Sequence, residues 1–319
     1  MKLVVSLPPH ALAKHSLKSF HLTWLGAMIP AAAAGVYFYG LTALLVLALT
    51  TLTAILTEGL ISRIINKPST LGDAHAALLG LTLGLTLSPI IPWWTAVIAS
   101  LIMIILAKAF FGGLAFYPFH PVLVAWVVAY ISWPDLMNAF VTPEPGSFGG
   151  GELAEAVRPY LLIRQDPSEI LSFEFWNRFI GGGYGGPIGG SSGLAVLIGA
   201  AWLFYRGYLP PLLPLAVLVG AGLTAEIYHL ADPDLFAPWW LHLTSGTLLL
   251  GAFLLAPEPT TSPVTGQAMV IFGLGIGLAT IIFRIHGTRP EAIFYAILIF
   301  NALTPILDRI RPKPFGQRT

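Results

Sequence analysis

The sequence contains no cysteine among its 319 residues. This absence excludes disulfide bonds, thiolate nucleophiles, cysteine-ligated iron–sulfur clusters and thiol redox chemistry from this chain. Charged residues are also few, at 10% of the chain, whereas soluble domains carry roughly 25%. The net charge of +1 offers no basic surplus for nucleic acid. Walker A and HExxH motifs are missing as well, so the sequence shows no standard phosphate-binding loop or zinc-protease signature.

Apolar residues dominate instead, at 56% of the chain with a mean hydropathy of +0.79. This composition is typical of a multi-span integral membrane protein. Since a bilayer core takes ~20 apolar residues per helix, we count about ten spans, the third and fifth of them short. We expect no cleaved signal peptide, because no small-residue cleavage site follows a short apolar core. The predicted spans lie near 22–40, 42–64, 73–88, 93–110, 120–133, 190–206, 210–230, 239–256, 267–285 and 291–307.

Lysine and arginine are distributed unevenly between the predicted loops. They precede the first span, follow the second, fourth and sixth, and close the chain, whereas the loops around Gly40 and "SPIIP" carry none. By the positive-inside rule both termini are cytoplasmic. The sequence therefore predicts a multi-pass membrane protein.

A long acidic loop rich in glycine and proline divides the spans into two groups of five. We predict an N-terminal membrane repeat at 1–135, an extracytoplasmic loop at 136–189 and a C-terminal membrane repeat at 190–319. "GDAHAALLGLTLGLTLSPIIPWW" and "WWLHLTSGTLLLGAFLLAPEPTTSP" echo each other loosely. Five spans repeated once give inverted repeats, which place a site at their interface near the midplane. The predicted fold is thus all-α, with short or broken helices at that interface.

The stretch "AFFGGLAFYPFHPVLVAW" interrupts the apolar pattern with two glycines, two prolines and a histidine. Gly112 and Gly113 either allow close helix packing or let a flat ring approach the backbone. Aromatic residues around the break fit a ring-binding pocket, and they equally fit an interfacial belt. The side chains of this stretch that we take as candidate ligand contacts are Phe116, Tyr117, Phe119 and His120.

Ionisable groups inside the predicted spans are few, and such groups are functional candidates because their burial in lipid is costly. Glu58 lies one turn before Arg63, which favours an interfacial ion pair as the alternative to an ion pathway. Asp73 and His75 open the third span, where Asp73 either caps the helix or lies on a cation path. These three residues, with Glu258, form our candidate ion pathway, and we expect no metal centre.

Six ordered segments resemble the RnfD component of the Rnf ion-translocating electron-transport complex and its sister, the NqrB component of the sodium-pumping NADH:quinone oxidoreductase. The segments are "SLPPH", "LGDAHAALLGLTLGLTLSPIIPWW", "KAFFGGLAFYPFHPVLV", "PIGGSSGLAVLIGAAWLFY", "HLTSGTLLLGAFLLAPEPTTSPVT" and "FNALTPILDRIRPKPFG". The resemblance covers nearly the whole chain. It implies ten helices in two inverted repeats, flavin, and electron flow across the membrane coupled to Na⁺ or H⁺ movement. It also implies a quinone site at the glycine pair matching Gly112 and Gly113.

The resemblance adds further cofactor-binding candidates in the C-terminal half, namely Ser245, Gly246, Thr260 and Thr261. The family attaches FMN to a threonine of a Ser-x-Ala-Thr-like motif in the long loop, but the only threonine of this loop is Thr142, in "VTPEPG". We therefore expect non-covalent flavin, FMN or riboflavin, with quinone as a second ligand. The expected partners are the other membrane and peripheral components of a redox complex in a bacterial or archaeal cytoplasmic membrane.

Three matched motifs are altered in this chain. The family's Asn-Pro-Phe-Asn-Pro is Tyr-Pro-Phe-His-Pro at 117–121, its Asp-Gly-Ser-Ala is Asp-Ala-His-Ala at 73–76, and its Thr-Asp-Pro is Pro-Glu-Pro at 257–259. These changes indicate a divergent member with altered flavin or quinone use. Two alternatives to a redox component remain: a flavin-free transporter-like protein, and a structural membrane anchor for redox partners.

Overall fold

The computed structural model describes residues 16–66, 71–141, 143, 146, 153–154, 186–244, 247–287 and 291–310. Helices dominate this part of the chain. The one strand pair it contains is short, with β1 (Phe140–Val141) antiparallel to β2 (Leu153–Ala154). The α-helices are α1 (Leu17–Ile64), α2 (His75–Thr86), α3 (Trp93–Ile102), α4 (Pro121–Ser132), α5 (Pro134–Asn138), α6 (Gly193–Tyr205), α7 (Leu212–Ala231), α8 (Trp239–Thr244), α9 (Leu248–Leu250), α10 (Gly266–His286) and α11 (Ala292–Leu307).

The 48-residue helix α1 is two helices joined at a break. Gly40 takes φ +65° and ψ −143°, which is not helical, and it separates the two parts where the sequence predicted a boundary between helices. Glycine adopts such a left-handed backbone without the steric cost that a Cβ would bring. The side-chain hydroxyl of Ser16 caps the first part by accepting from the amide of Ser19.

Two helices continue into π-helical segments before the chain leaves helical geometry. α3 runs on as a π-helix over Met103–Ala109, and α9 runs on over Gly251–Leu255. π-helical turns are rare and occur often at functional sites. Each half of the molecule therefore contains one widened helix end followed by an irregular connector.

The described helices have an unusually apolar surface and bury several polar side chains. Helix α1 buries His21, Thr50 and Glu58 while it exposes a row of leucines, Leu41, Leu44, Leu45, Leu52, Leu56 and Leu60. A lipid surround accounts for this arrangement, because hydrocarbon solvates leucine well and charged groups poorly. By length and composition, three described helices are able to cross a membrane: α1, α7 and α10.

Small residues let the helices approach closely. A Cβ on Gly80 of α2 would meet the backbone of α1 at Thr51 Cα, 2.6 Å away. In the C-terminal half, a Cβ on Gly273 of α10 would meet the carbonyl oxygen of Leu213 at 2.9 Å. Packing of this kind is typical of helices in lipid. The two halves meet where α4 packs on α11 and where the amide of Ile188 donates to Leu87 O at 3.0 Å.

Candidate functional site

The glycine pair forms an open turn at the surface. Gly112 and Gly113 have φ values of +113° and +104°, a backbone conformation that favours glycine. A Cβ on Gly113 would find no described atom within 4 Å, so the turn is not packed against a helix. Phe116 beside it is 72% exposed, and Phe110 and Phe111 are exposed too. The turn therefore presents bare backbone next to aromatic rings.

The residues that follow this turn point inward instead. Tyr117 is 2% exposed, and its hydroxyl donates to Glu258 Oε1 at 2.8 Å. His75 Nε2 lies 3.3 Å from the same hydroxyl oxygen, with the two rings parallel to within 5°. The hydroxyl of Thr260 also donates to this oxygen, at 3.3 Å. Tyr117 thus joins three segments of the chain at one oxygen atom.

Glu258 lies in the connector between the π-helical end of α9 and the start of α10. Its Oε2 accepts from the amides of Thr260 and Thr261, at 3.1 and 3.0 Å, and from the hydroxyl of Thr261 at 3.0 Å. Burial raises the pKa of the Glu258 carboxyl, and the hydrogen bonds from Tyr117, Thr260 and Thr261 oppose that rise. The carboxyl is held in one orientation, and the residue as a whole is half-buried.

His75 occupies the first position of α2 and is buried. Asp73 Oδ1 accepts from the His75 amide at 2.8 Å, so this carboxylate caps the helix. Asp73 also accepts through its main-chain oxygen from His21 Nδ1, at 2.7 Å. The rings of His21 and His75 lie 4.8 Å apart. Between Asp73 and His75, Ala74 takes φ +62°, a left-handed backbone that residues other than glycine seldom adopt.

A buried ion pair lies next to this cluster. Lys108 Nζ, in the π-helical segment, donates to Glu58 Oε2 on α1, and both side chains are almost fully buried. The ion pair that the structure shows for Glu58 is with Lys108, and Arg63, which the sequence offered as a partner, is exposed. Lys108, which we counted among the basic residues that follow the fourth span, is buried rather than in a loop. An isolated charge in this apolar interior is too costly, and pairing compensates part of that cost.

Backbone groups near the cluster join the two halves. The amide of His120 donates to Asn301 Oδ1 at 3.1 Å, and Asn301 Nδ2 donates to Thr261 O at 3.2 Å. The hydroxyl of Thr304 donates to the same carbonyl at 2.8 Å. Asn301 is 1% exposed, so these are interior hydrogen bonds. They hold the start of α4, the connector with Glu258 and helix α11 in fixed register.

The structure separates the predicted site residues into two groups. The glycine turn with Phe116 lies on the surface and Phe119 is half-buried. A larger group meets inside, and it includes residues from each of the three altered motifs. Ser245 and Gly246 lie outside the described residues. The inner group consists of Asp73, His75, Tyr117, His120, Glu258, Thr260 and Thr261.

Sequence reasoning did not identify three contributors to the cluster, His21, Lys108 and Asn301. His21 stands just before the first predicted span and has no local signal. The signal available for Lys108 was its place in the apolar run "IILAKAFF". A lysine in such a run lies either inside the protein or at the end of a membrane span. Asn301, in "LIFNALTP", is an amide within an apolar helix, and such groups usually hydrogen-bond a neighbouring helix.

Comparison with known proteins gives matches over nearly the full length. The sequence profile of the NQR2, RnfD, RnfE family matches residues 4–316. The D component of an ion-translocating oxidoreductase complex from Halorhodospira halophila is 32% identical over 336 residues, covering 97% of this chain and 94% of the relative.

Two further relatives carry names that specify different ions. The D component of a Na⁺-translocating ferredoxin:NAD⁺ oxidoreductase complex from Acetobacterium woodii is 33% identical, with 97% of this chain and 93% of the relative covered. The D component of a proton-translocating ferredoxin:NAD⁺ oxidoreductase complex from Clostridium ljungdahlii is 30% identical, with 98% and 96% covered. Because relatives named for either ion are similarly identical to this chain, overall sequence identity does not indicate which ion moves. The match over almost the whole chain shows that this protein belongs to the NQR2, RnfD, RnfE family.

Proposed function

We propose that this chain is a membrane component of a bacterial ion-translocating redox complex, in which it relays electrons across the membrane while Na⁺ or H⁺ moves. Family membership is the observation that carries this proposal, because relatives covering nearly its whole length are components of such complexes. Its partners are then the other membrane and peripheral proteins of the complex. We propose ten spans in two inverted repeats, with both termini in the cytoplasm; apolar helices on either side of the long loop support that arrangement.

The glycine turn is the surface best suited to a flat ring. The open space at Gly113 lets a ring approach the backbone, and the exposed ring of Phe116 offers a stacking partner. These features fit a quinone head group or an isoalloxazine ring. Lys108, the nearest cation along the chain, is held by Glu58, so the turn fits a ring better than it fits a phosphate.

We therefore place flavin or quinone binding at Gly112, Gly113 and Phe116, with flavin bound non-covalently. The bound group would supply the electron-transfer chemistry. The chain itself positions the ring through bare backbone and aromatic contacts. The buried cluster behind the turn, with Glu58, Asp73, His75 and Glu258, supplies ionisable groups for ion movement. Two residues separate Gly113 from Phe116, and Tyr117, which joins that cluster, comes next in the chain.

The test is the colour of the purified complex and of the isolated chain. We expect a flavin absorption spectrum that persists through detergent purification, and acid precipitation should release the flavin into the supernatant. Flavin that stays with the precipitated chain would show covalent attachment. A chain without flavin that also binds no quinone analogue would contradict the cofactor proposal and favour a structural role.

A further inference from the structure

We propose that His75, Tyr117 and Glu258 form a proton wire that connects the N-terminal half of the chain to the C-terminal half. The proposal rests on the proposed ion-coupled function and narrows it to one ion and three side chains. Their atoms form a continuous hydrogen-bond path, from His75 Nε2 to Tyr117 Oη at 3.3 Å and from Tyr117 Oη to Glu258 Oε1 at 2.8 Å.

The hydrogen-bond directions suit proton exchange along this path. Before transfer, His75 Nε2–H donates to the Tyr117 oxygen and the Tyr117 hydroxyl donates to the Glu258 carboxylate. During transfer Glu258 takes the hydroxyl proton, Tyr117 takes the Nε2 proton, and the imidazole takes a proton at Nδ1. The tyrosine gains one proton as it loses one, so no tyrosinate accumulates. Rotation of the hydroxyl and a change of imidazole tautomer restore the starting state, and the reverse direction uses the same atoms.

The far nitrogen of His75 is the entry to this wire. Nδ1 is buried and has no hydrogen-bond partner among the described residues. A buried polar atom without a partner costs free energy, so such an atom calls for a functional explanation. The ring of His21 lies 4.8 Å from the ring of His75. Because His21 Nδ1 faces the carbonyl oxygen of Asp73, it must donate there, which leaves Nε2 as the nitrogen of neutral His21 that accepts a proton.

Glu258 is the exit. Two backbone amides and a threonine hydroxyl hold Oε2, while Oε1 faces Tyr117. These three hydrogen bonds keep Oε1 directed at Tyr117 whether the carboxyl is protonated or ionised. Glu258 is the least buried residue of the three and is followed by the exposed Pro259, so its carboxyl is the end of the path nearer the exterior.

The charges around these three residues favour passing a proton on over holding it on His75. The titratable groups that face His75 from neighbouring elements are Lys108 on the π-helical segment, His21 on α1 and His120 before α4. Lys108 is the cation among them, so it opposes a lasting positive charge on His75 and favours passing an arriving proton on. Glu58 on α1 and Asp73 beside α2 compensate Lys108, so the surroundings as a whole remain close to neutral.

The first test measures protons moved per electron transferred in vesicles that contain the whole complex. Tyr117→Phe keeps the ring and removes the hydroxyl, so the rate of proton transfer should fall about 10²-fold, a typical contribution for one acid–base group, and the ratio should fall with it. The matched control is Tyr39→Phe, which removes a buried hydroxyl that donates to Gly186 O at 3.4 Å, away from the wire. The control should keep the wild-type ratio. An unchanged ratio in Tyr117→Phe, or Na⁺ moved in place of H⁺ by wild type, overturns the wire.

The second test needs no redox partner. Infrared titration of the purified full chain should show a carboxylic acid band that Glu258→Gln removes. Tyr117→Phe and His75→Gln should shift the midpoint of this band, and Tyr39→Phe should not. If neither Tyr117→Phe nor His75→Gln shifts the midpoint of this band, the proposal is overturned. If wild-type vesicles move no ion with electrons, the proposed function fails, and the infrared result still decides the wire.

Discussion

At the scale of single residues, the pair of Glu58 and Lys108 places two charges in the apolar interior. Each charge loses its hydration when it leaves water for an apolar interior. Lys108 is 3% exposed and Glu58 is 5% exposed, so their contact has to replace that hydration. Removing one partner leaves an uncompensated charge, whereas removing both leaves an apolar core.

Glu58→Gln should therefore destabilise the protein by about 3–5 kcal/mol, the cost of breaking a buried pair. The double variant with Lys108→Met should recover most of this loss, because no charge is then left unpaired. Reversible unfolding in mixed detergent micelles measures both free energies. Arg63→Gln, at an exposed position of the same helix, is the control and should change stability by less than about 0.5 kcal/mol. Equal losses in the single and double variants would contradict this account.

The ion pair of Glu58 and Lys108 also shows a limit of prediction from the sequence. The sequence marks Glu58 as unusual, since a carboxylate in an apolar helix is expensive. It does not name Lys108 as the partner, which lies 50 positions further along the chain. Proximity in the sequence favours Arg63, one turn away, as the partner of Glu58. Tertiary packing instead brings Lys108 to this carboxylate.

At the scale of elements, the break after α3 combines a π-helical segment with a left-handed turn. The amide of Phe110 donates to Ile105 O at 2.9 Å, and the amide of Gly113 donates to Lys108 O at 3.1 Å, so five-residue spacing continues to the end of the helix. The wider turn lets the chain leave the helix with Lys108 facing inward and the glycines facing outward. Proline at position 121 then starts α4 at its first turn, where no amide is needed.

Gly113→Ala tests whether this turn binds a ring. A Cβ meets no described atom there, but the left-handed backbone costs an alanine roughly 1–2 kcal/mol. If binding needs the present turn, flavin content or quinone-analogue affinity should fall by up to about 10-fold. Gly207→Ala is the matched control, because Gly207 has φ +70°, open space and a position beyond α6. If Gly113→Ala and Gly207→Ala lose the same stability and bind flavin or the quinone analogue equally well, the ring does not bind at this turn.

Apolar runs, glycine and proline predicted the helix positions well. The predicted runs at 93–110 and 267–285 correspond to α3 with its π-helical extension, Trp93–Ala109, and to α10, Gly266–His286. The π-helical segments were not predicted, because their sequences differ in no obvious way from α-helix. The packing of the surrounding helices, rather than local propensity, decides where a turn widens.

At the scale of the whole molecule, the candidate site exists only because two distant parts of the chain meet. Tyr117 and Glu258 are separated by 141 positions and share one hydrogen bond. The weak echo between the halves predicted a site at their interface, but it could not give the pairs of atoms. Three altered motifs were visible in the sequence as separate departures, and the fold brings His75, Tyr117 and Glu258 into one path.

Asn301 holds this interface together, and its replacement should loosen both sides at once. Asn301→Leu keeps the volume but leaves the His120 amide without its acceptor and removes one of two donors from Thr261 O. A buried group left unpaired costs about 1–3 kcal/mol, so hydrogen exchange should rise in 119–124 and in 258–262 together. Asn138→Leu is the control, since it breaks a contact with Tyr130 inside the N-terminal half and should raise exchange only nearby. If exchange rises in one segment alone, the two halves are not coupled through Asn301. In that case the alignment of Tyr117 with Glu258 must depend on helix packing between α4 and α11 instead.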